Sequence, residues 1–557
     1  MKQKHLWILT LSIVLIISVS IFIILKNGSS VDKDTASLLR QKEKAKTTPY
    51  GKYPELVEYT LGKMTGTNNS NMPEGDTYED NAYTRYLKEM LNIQNIDLFE
   101  ATDRDYDNKV SMAVKKKELP DIMVVSDQKV LQELVEKDMI QDLTEVYENC
   151  TSDKIKEMYS SYGNTVFDDV TFDGKLMAFP ETNIDDGPNL LWLRKDWLDK
   201  LDLEEPKTME DVEYIISQFI EYDPGKNGEG NTVGLICDPD LTGENGYRSE
   251  YQIDILFAKY NAYPKQWIYD DDGQIVYGSI QPEVKKALVK LHEMYQKDIL
   301  DNQFLVRTTS GMIDLVIDGK CGSFFGPWWA PNNPLMDAKK KDPSADWVPY
   351  MIETSDGVTR YYPRNPSYKY VVVRKGYEYP EIVPKMISVM FDYIKYEDKE
   401  AKGLVEYFKK NVDPTARPIS INIDYKDALD RCYADVTAAL DEIKDPEELP
   451  LLEYSYYEAC KDYLENSEAD VEDWAAYASR ISACSLFKLE PEEIDAVFFT
   501  QTETMEDEWW QLLELEKDVY LKIIIGEEPI EYFDEFVKQW KTGGGDRITE
   551  EVRGNNK

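Results

Sequence analysis

Near the start of the chain lies an uncharged, mostly apolar run, Leu6–Leu25, preceded by Lys2, Lys4 and His5 and followed by Lys26. As a helix it would cover about 30 Å, the thickness of a bilayer's hydrocarbon core. Bulky residues, Ile21-Phe22-Ile23-Ile24-Leu25, reach its very end, no A-x-A cleavage site appears, and the first cysteine is Cys150. A cleaved signal peptide or a lipid-modified cysteine fits this poorly. The expectation is an uncleaved transmembrane signal anchor, residues 6–25, with residues 1–5 cytoplasmic and the bulk of the chain outside. Val31–Pro49 is charged and has Leu38 and Leu39 as its large apolar residues, which predicts a spacer off the membrane.

Past the spacer the pattern alternates between strand and helix periods. Tyr59–Met64 reads as a strand that runs into a polar loop, 65–71. Tyr83, Tyr86, Leu87, Met90 and Leu91 share a helical face, and Asn95–Phe99 and Asp121–Val125 read as two further strands. Strands alternating with amphipathic helices predict an α/β fold whose parallel sheet is covered on both faces. Such sheets bind ligands at the carboxyl ends of their strands, which here give way to loop 65–71 and to Ser126-Asp127. Thr208, with Asp211 three residues on, opens a helix to Tyr222. Helices also follow from the apolar spacing in Pro282–Ile299, after Pro380, and in Phe533, Phe536, Val537 and Trp540. The last of these is ended by Gly543-Gly544-Gly545.

The centre of the chain is Ser323-Phe324-Phe325-Gly326-Pro327-Trp328-Trp329-Ala330: a short apolar strand stopped by Gly-Pro, with two adjacent tryptophans at its end. Indole faces stack on the apolar faces of sugar rings while the N–H still finds an acceptor. Burial in an ordinary core is the competing use of such a pair.

Composition narrows the chemistry. With 42% hydrophobic residues there is material for large cores, and 557 residues exceed one ordinary domain. Against 64 Lys and Arg stand 106 Asp and Glu, a net charge of −42 that repels nucleic acid and anionic lipid. His5 and His292 are the only histidines, so triads, Cys-His pairs and His-rich zinc sites have almost nothing to work with. Six cysteines, widely spaced and without C-x-x-C, read as buried thiols.

A set of ordered phrases carries a resemblance: Leu119-Pro120-Asp121-Ile122, Met139–Thr144, Asp173–Pro180, Leu191–Leu201, the Gly-Pro-Trp segment, Leu521–Gly526 and Phe533–Val537. Together, from about residue 55 to 552, they resemble extracellular solute-binding proteins of carbohydrate ABC importers, the maltose-binding-protein class in its large Gram-positive form. The resemblance implies a two-lobed, periplasmic-binding-protein-like (type II) α/β fold with a helix-rich C-terminal part, joined here to the N-terminal transmembrane helix. The corresponding division is a linker at 26–50, lobe 1 at 51–182, lobe 2 at 183–362, a return to lobe 1 at 363–410, and a helix-rich part at 411–557 completing lobe 2. The strand after Pro363-Arg364-Asn365-Pro366-Ser367, Tyr368–Val373, would cross back between lobes.

The function so implied is capture of a carbohydrate or other small polar solute between the lobes, and its delivery to an ABC permease, by a monomer held at the cell surface. The candidate contacts are Trp328 and Trp329 for stacking, Asn68, Asp127, Glu181 and Asn183 for hydrogen bonding, and Arg364, which could also fork onto a uronate. Catalytic residues and a cofactor are not expected. In relatives the loop Asp223–Thr232 can hold calcium; here Asp223, Asn227 and Asn231 are the weak candidates, with Gly225 at a usual ligand position. Two alternatives stay open: a surface receptor that senses its ligand for a membrane partner, and a two-carboxylate glycoside hydrolase, for which no motif singles out a pair.

Overall fold

The computed structural model describes residues 33–555 other than 67–71, 164, 245–248, 355, 402, 411 and 467–468. The expected membrane anchor and the candidate contact Asn68 lie outside the described residues. Among those described, no helix is long and apolar enough to cross a membrane.

The two principal sheets are built from β1 (Val57–Thr65), β2 (Ile93–Thr102), β3 (Ile122–Val125), β4 (Phe179–Pro180), β5 (Leu190–Arg194), β6 (Ser323–Gly326), β7 (Trp347–Tyr350) and β8 (Tyr370–Val373). The first sheet has the order β2-β1-β3-β8-β4. Its first three strands are parallel, and β8 runs antiparallel to both β3 and β4. β3 and β8 are buried along their whole length, as apolar strands must be when helices cover both faces. Helices Ala82–Leu91 and Ile382–Ser388 supply that cover through Leu87, Leu91, Met386 and Ile387. The register of β1 against β2 shifts between Leu61 and Gly62. A Cβ at Gly62 would come within 2.7 Å of the Phe99 ring, so the shift and the glycine belong together.

The second sheet, β6-β5-β7, is antiparallel. β5 is apolar at consecutive positions because each face meets a different core. Leu191 and Leu193 join helices Met209–Tyr222, Val284–Gln296 and Glu503–Ile525. Leu190 and Trp192, with Phe324 and Trp347, join Leu429, Trp474 and Cys484 of the C-terminal helices.

Three strands of chain connect the two sheets side by side. Glu181 N donates to Lys369 O at 2.8 Å and Asn183 N to Pro366 O at 2.9 Å, while Thr182 N and Asp185 N donate to Asn422 O and Lys426 O, both at 2.8 Å. Segments 181–186, 365–369 and 422–426 therefore form the crossing between the two sheets, the candidate hinge.

Local signals hold well. Thr208 and Asp211 form the expected capping box at the start of Met209–Tyr222. All six cysteines are buried and unpaired, and the His292 ring lies 3.0 Å from the Ile524 carbonyl. Two expectations are corrected. The spacer contains a helix, Lys33–Thr47, rich in good helix formers and docked on the first core: Ala45 is buried, and Lys385 Nζ donates to Thr48 O and Gly51 O just beyond it. Gly543–Gly545 does break the helix, with Gly544 at φ +117°, but that helix is not the last: Asp546–Asn555 follows and buries Ile548 and Val552 in the second core.

Candidate functional site

A cleft of about 800 Å³ is lined by the segments that follow β1 and β6 and by C-terminal helices. The loop leaving β1 re-enters as Met72, Pro73 and Glu74, and the turn leaving β6 contributes Asn332 and Met336. Phe408 and the lysines beside it come from the first lobe. Tyr456 and Ser479 stand on the C-terminal helical segments. Asn68 belongs to the undescribed part of the same β1 loop.

The Gly-Pro turn after β6 is pinned by the Trp192 indole, which donates to Pro327 O at 3.1 Å. Trp328 that follows is only 7% exposed. The Arg480 guanidinium lies 4.3 Å from the Trp328 ring centroid and 4.1 Å from that of Tyr456, to whose hydroxyl it donates at 2.8 Å. The indole face expected to meet a sugar is therefore covered by a cation, with Tyr456 as the outer layer lining the cleft. Trp329 is half-buried, and its carbonyl accepts from Asn332 N at 2.9 Å.

Glu181, Asn183 and Arg364 are brought together at the hinge. Glu181 is 2% exposed, with Lys369 Nζ at 3.8 Å. Burial raises its carboxyl pKa, while Lys369 and Arg364 pull it down. Arg364 pairs with Asp186 at 2.6 Å, and Asn183 Nδ2 donates to Asn365 O at 2.8 Å. Asn183 and Arg364 border a smaller hollow of about 210 Å³ with Tyr162 and Lys426. These side chains tie the crossing segments to one another.

Asp127 is exposed and caps helix Gln128–Glu136 by accepting from Lys129 N at 2.8 Å. Lys129 reaches across to the second lobe and donates to Glu506 O at 2.9 Å. One helical turn beyond Glu506 stands Trp510, 64% exposed. β1 and β3 are paired neighbours, so the loops that leave them, one leading to the cleft and the other carrying Asp127, start side by side. Sequence reading missed Trp510, Tyr456 and Phe408. The one available signal for Trp510 was its place off the buried stripe that includes Trp509, Leu512 and Glu516.

The calcium candidate loop does not fit the ion. Of its two carboxylates, Glu229 is exposed, and the Asp223 oxygens already accept from Asn227 N, Gly228 N and the Thr232 hydroxyl at 2.7–2.9 Å. The Asn227 amide donates to Thr232 and to Gly319 O, and Asn231 donates to Asn227 O. A Cβ at Gly225 would meet the Trp197 ring at 2.5 Å, so no liganding side chain fits there. Among the described residues no group of acidic, histidine or cysteine side chains could hold a metal.

Two α/β lobes joined by three crossing segments, with a cleft lined from both, have the architecture of a solute-binding protein. The model of the bacterial extracellular solute-binding protein family matches residues 81–363, just over half the chain, and the chain belongs to that family. It is 23% identical over 248 residues to the polygalacturonan/rhamnogalacturonan-binding protein YtcQ of Bacillus subtilis, covering 43% of this chain and 46% of that one. It is 22% identical over 370 residues to lipoprotein LipO of the same organism, covering 65% and 67%. The matched stretch thus spans about half of YtcQ and two thirds of LipO. The fold superposes with a TM-score of 0.60 on an EF-hand mutant of the S. pneumoniae ABC-transporter substrate-binding protein FusA, in complex with fructo-nystose. That match has 15% identity and covers 90% of this chain and 98% of that one. Family and fold are those of extracellular substrate-binding proteins, not of enzymes.

Proposed function

We propose that the protein captures an oligosaccharide in the groove between its lobes and delivers it to an ABC importer, held at the cell surface by Leu6–Leu25. The observation that carries this reading is the cleft of about 800 Å³ lined by residues from both lobes. YtcQ and FusA, both substrate binders by name, support a carbohydrate as the solute. Phe408, Tyr456 and Trp510 offer ring faces, and Asn332, Asp127 and the loop around Asn68 offer hydrogen-bonding groups. Trp329 keeps its candidacy at the cleft edge. Trp328 would act after Arg480 moves, and Glu181, Asn183 and Arg364 would act mainly by setting the hinge that closes on the solute.

The test is a thermal-shift screen of the full-length protein in mild detergent against a panel of oligosaccharides, since a ligand of the native state raises the melting temperature by mass action. Supporting results are a shift without sugar turnover and its reduction in Phe408→Ala and Trp510→Ala. A shift with sugars that neither variant weakens would refute the groove, and a shift with peptides alone would refute the carbohydrate.

A further inference from the structure

We infer that the cleft selects its solute by charge: for glycans of equal length, binding strengthens from uronate-bearing through neutral to amine-bearing chains. This rests on the reading of the cleft as the solute site. One wall of the cleft, carried by the ends of helices Leu451–Glu465 and Val471–Tyr477, crowds together Asp462, Asp470, Glu472 and Asp473. Glu74, Glu406 and Glu458 stand elsewhere on the lining. The cations in the lining are Lys409 and Lys410, and both are paired: Lys409 lies 3.6 Å from Glu458 and Lys410 2.7 Å from Glu406, while Arg480 sits behind the lining, covered by the Tyr456 ring. Glu472 is met at 3.1 Å by Lys340. Among the described residues no cation lies within ion-pair distance of Glu74, Asp462, Asp470 or Asp473.

The lining is more acidic than the chain as a whole. Seven carboxylates face two lysines in the cleft, against 106 and 64 in the full sequence. Crowding is felt by the groups themselves: partial burial raises the Asp473 carboxyl pKa, and the neighbouring Asp462, Asp470 and Glu472 raise it further. Ionised carboxylates only accept hydrogen bonds. Such a wall suits the hydroxyls of a neutral sugar and suits an ammonium better, while a uronate brings a like charge against carboxylates of which Glu74, Asp462 and Asp470 are exposed, so the repulsion is strongest at low salt. The acidic hydrogen-bond pairs at the hinge do not alter this balance, because Arg364 is already engaged by Asp186.

Calorimetric titration of the full-length protein with chitosan, cellulose and galacturonate oligosaccharides of one length tests the ordering. The amine chain is expected to bind at least tenfold tighter than the uronate chain at about 10 mM salt. The ratio should shrink at about 500 mM, where the Debye length is only a few ångströms. Glu74→Gln with Asp462→Asn, which change charge with little change in shape, should narrow the ratio at low salt. Galacturonate binding as tightly as the neutral chain, or a ratio unmoved by the double variant, would overturn the charge inference alone, provided Phe408→Ala still weakens binding. Glycan binding indifferent to Phe408→Ala would instead overturn the cleft as the site.

Discussion

Lys63→Met isolates a charge that β1 carries into the interior. The Lys63 side chain is fully buried. Its ammonium donates to the carbonyls of Thr415, Arg417 and Pro418 and contacts the Ser420 hydroxyl, while the Tyr78 ring lies 5.0 Å away. None of these hydrogen-bond partners is a carboxylate. Burial is the dominant influence and lowers the pKa from 10.5 to about 7, against the opposing pull of Asp97 and Asp413. Between those values the unfolded chain holds a proton that the folded chain has released, so stability rises with pH across that window. At ~1.4 kcal/mol per unit the full window amounts to about 5 kcal/mol, of which the step from about pH 7 to about pH 9 supplies roughly 2 kcal/mol. The assay is urea unfolding of wild type and variant at both pH values. Only the difference between their pH responses is read, because Lys385, Glu453 and Glu516 also titrate near this range in both proteins. Absolute stability is not the readout, since the variant leaves three carbonyls without their donor, at a cost of its own. Wild type is expected to gain about 2 kcal/mol more than the variant on going to the higher pH. Parallel responses would refute the reasoning that a lysine ammonium is held in a dry site.

Glu516 is fully buried, donated to by the Tyr277 hydroxyl at 3.0 Å, and pushed by burial from 4.5 up to about 7. The folded state then holds the extra proton, stability falls as pH rises through that window, and Glu516→Gln should be more stable than wild type by up to about 3 kcal/mol at about pH 8, with the gap closing near pH 4. Gly62→Ala should destabilise by roughly 1–3 kcal/mol in chemical denaturation, because its methyl meets the Phe99 ring; a neutral result would contradict the tight approach of β1 to β2. Adding about 1 mM calcium or a chelator should leave the melting temperature unchanged, and a rise of several degrees with calcium would contradict the account of the Asp223 loop.

Much of the fold was written locally. The strand at Tyr59–Met64, the apolar runs of β3 and β8, the Gly-Pro stop after β6 and the Thr208–Asp211 cap each depend on a few consecutive residues, and each appears in the structure. Hydrophobic period, capping chemistry and turn residues act over one or two turns of chain, so a reader of the sequence meets them whole. The ordered phrases likewise identified the family, because they record the fold's repeated local needs. The site was another matter. Trp328 stands at the end of its strand as expected, yet whether its face is open depends on Arg480, which arrives from a helix far along the chain. Glu181, Asn183 and Arg364 meet because three distant segments cross side by side, and that same meeting spends their hydrogen bonds on the hinge. Position 225 has room for a glycine alone because the Trp197 ring lies against it. The acidic wall comes from two helix ends packed opposite the β1 loop. In a chain with 106 carboxylates no local pattern marks those that share a cleft; proximity between distant segments decides it, and only tertiary packing creates that proximity.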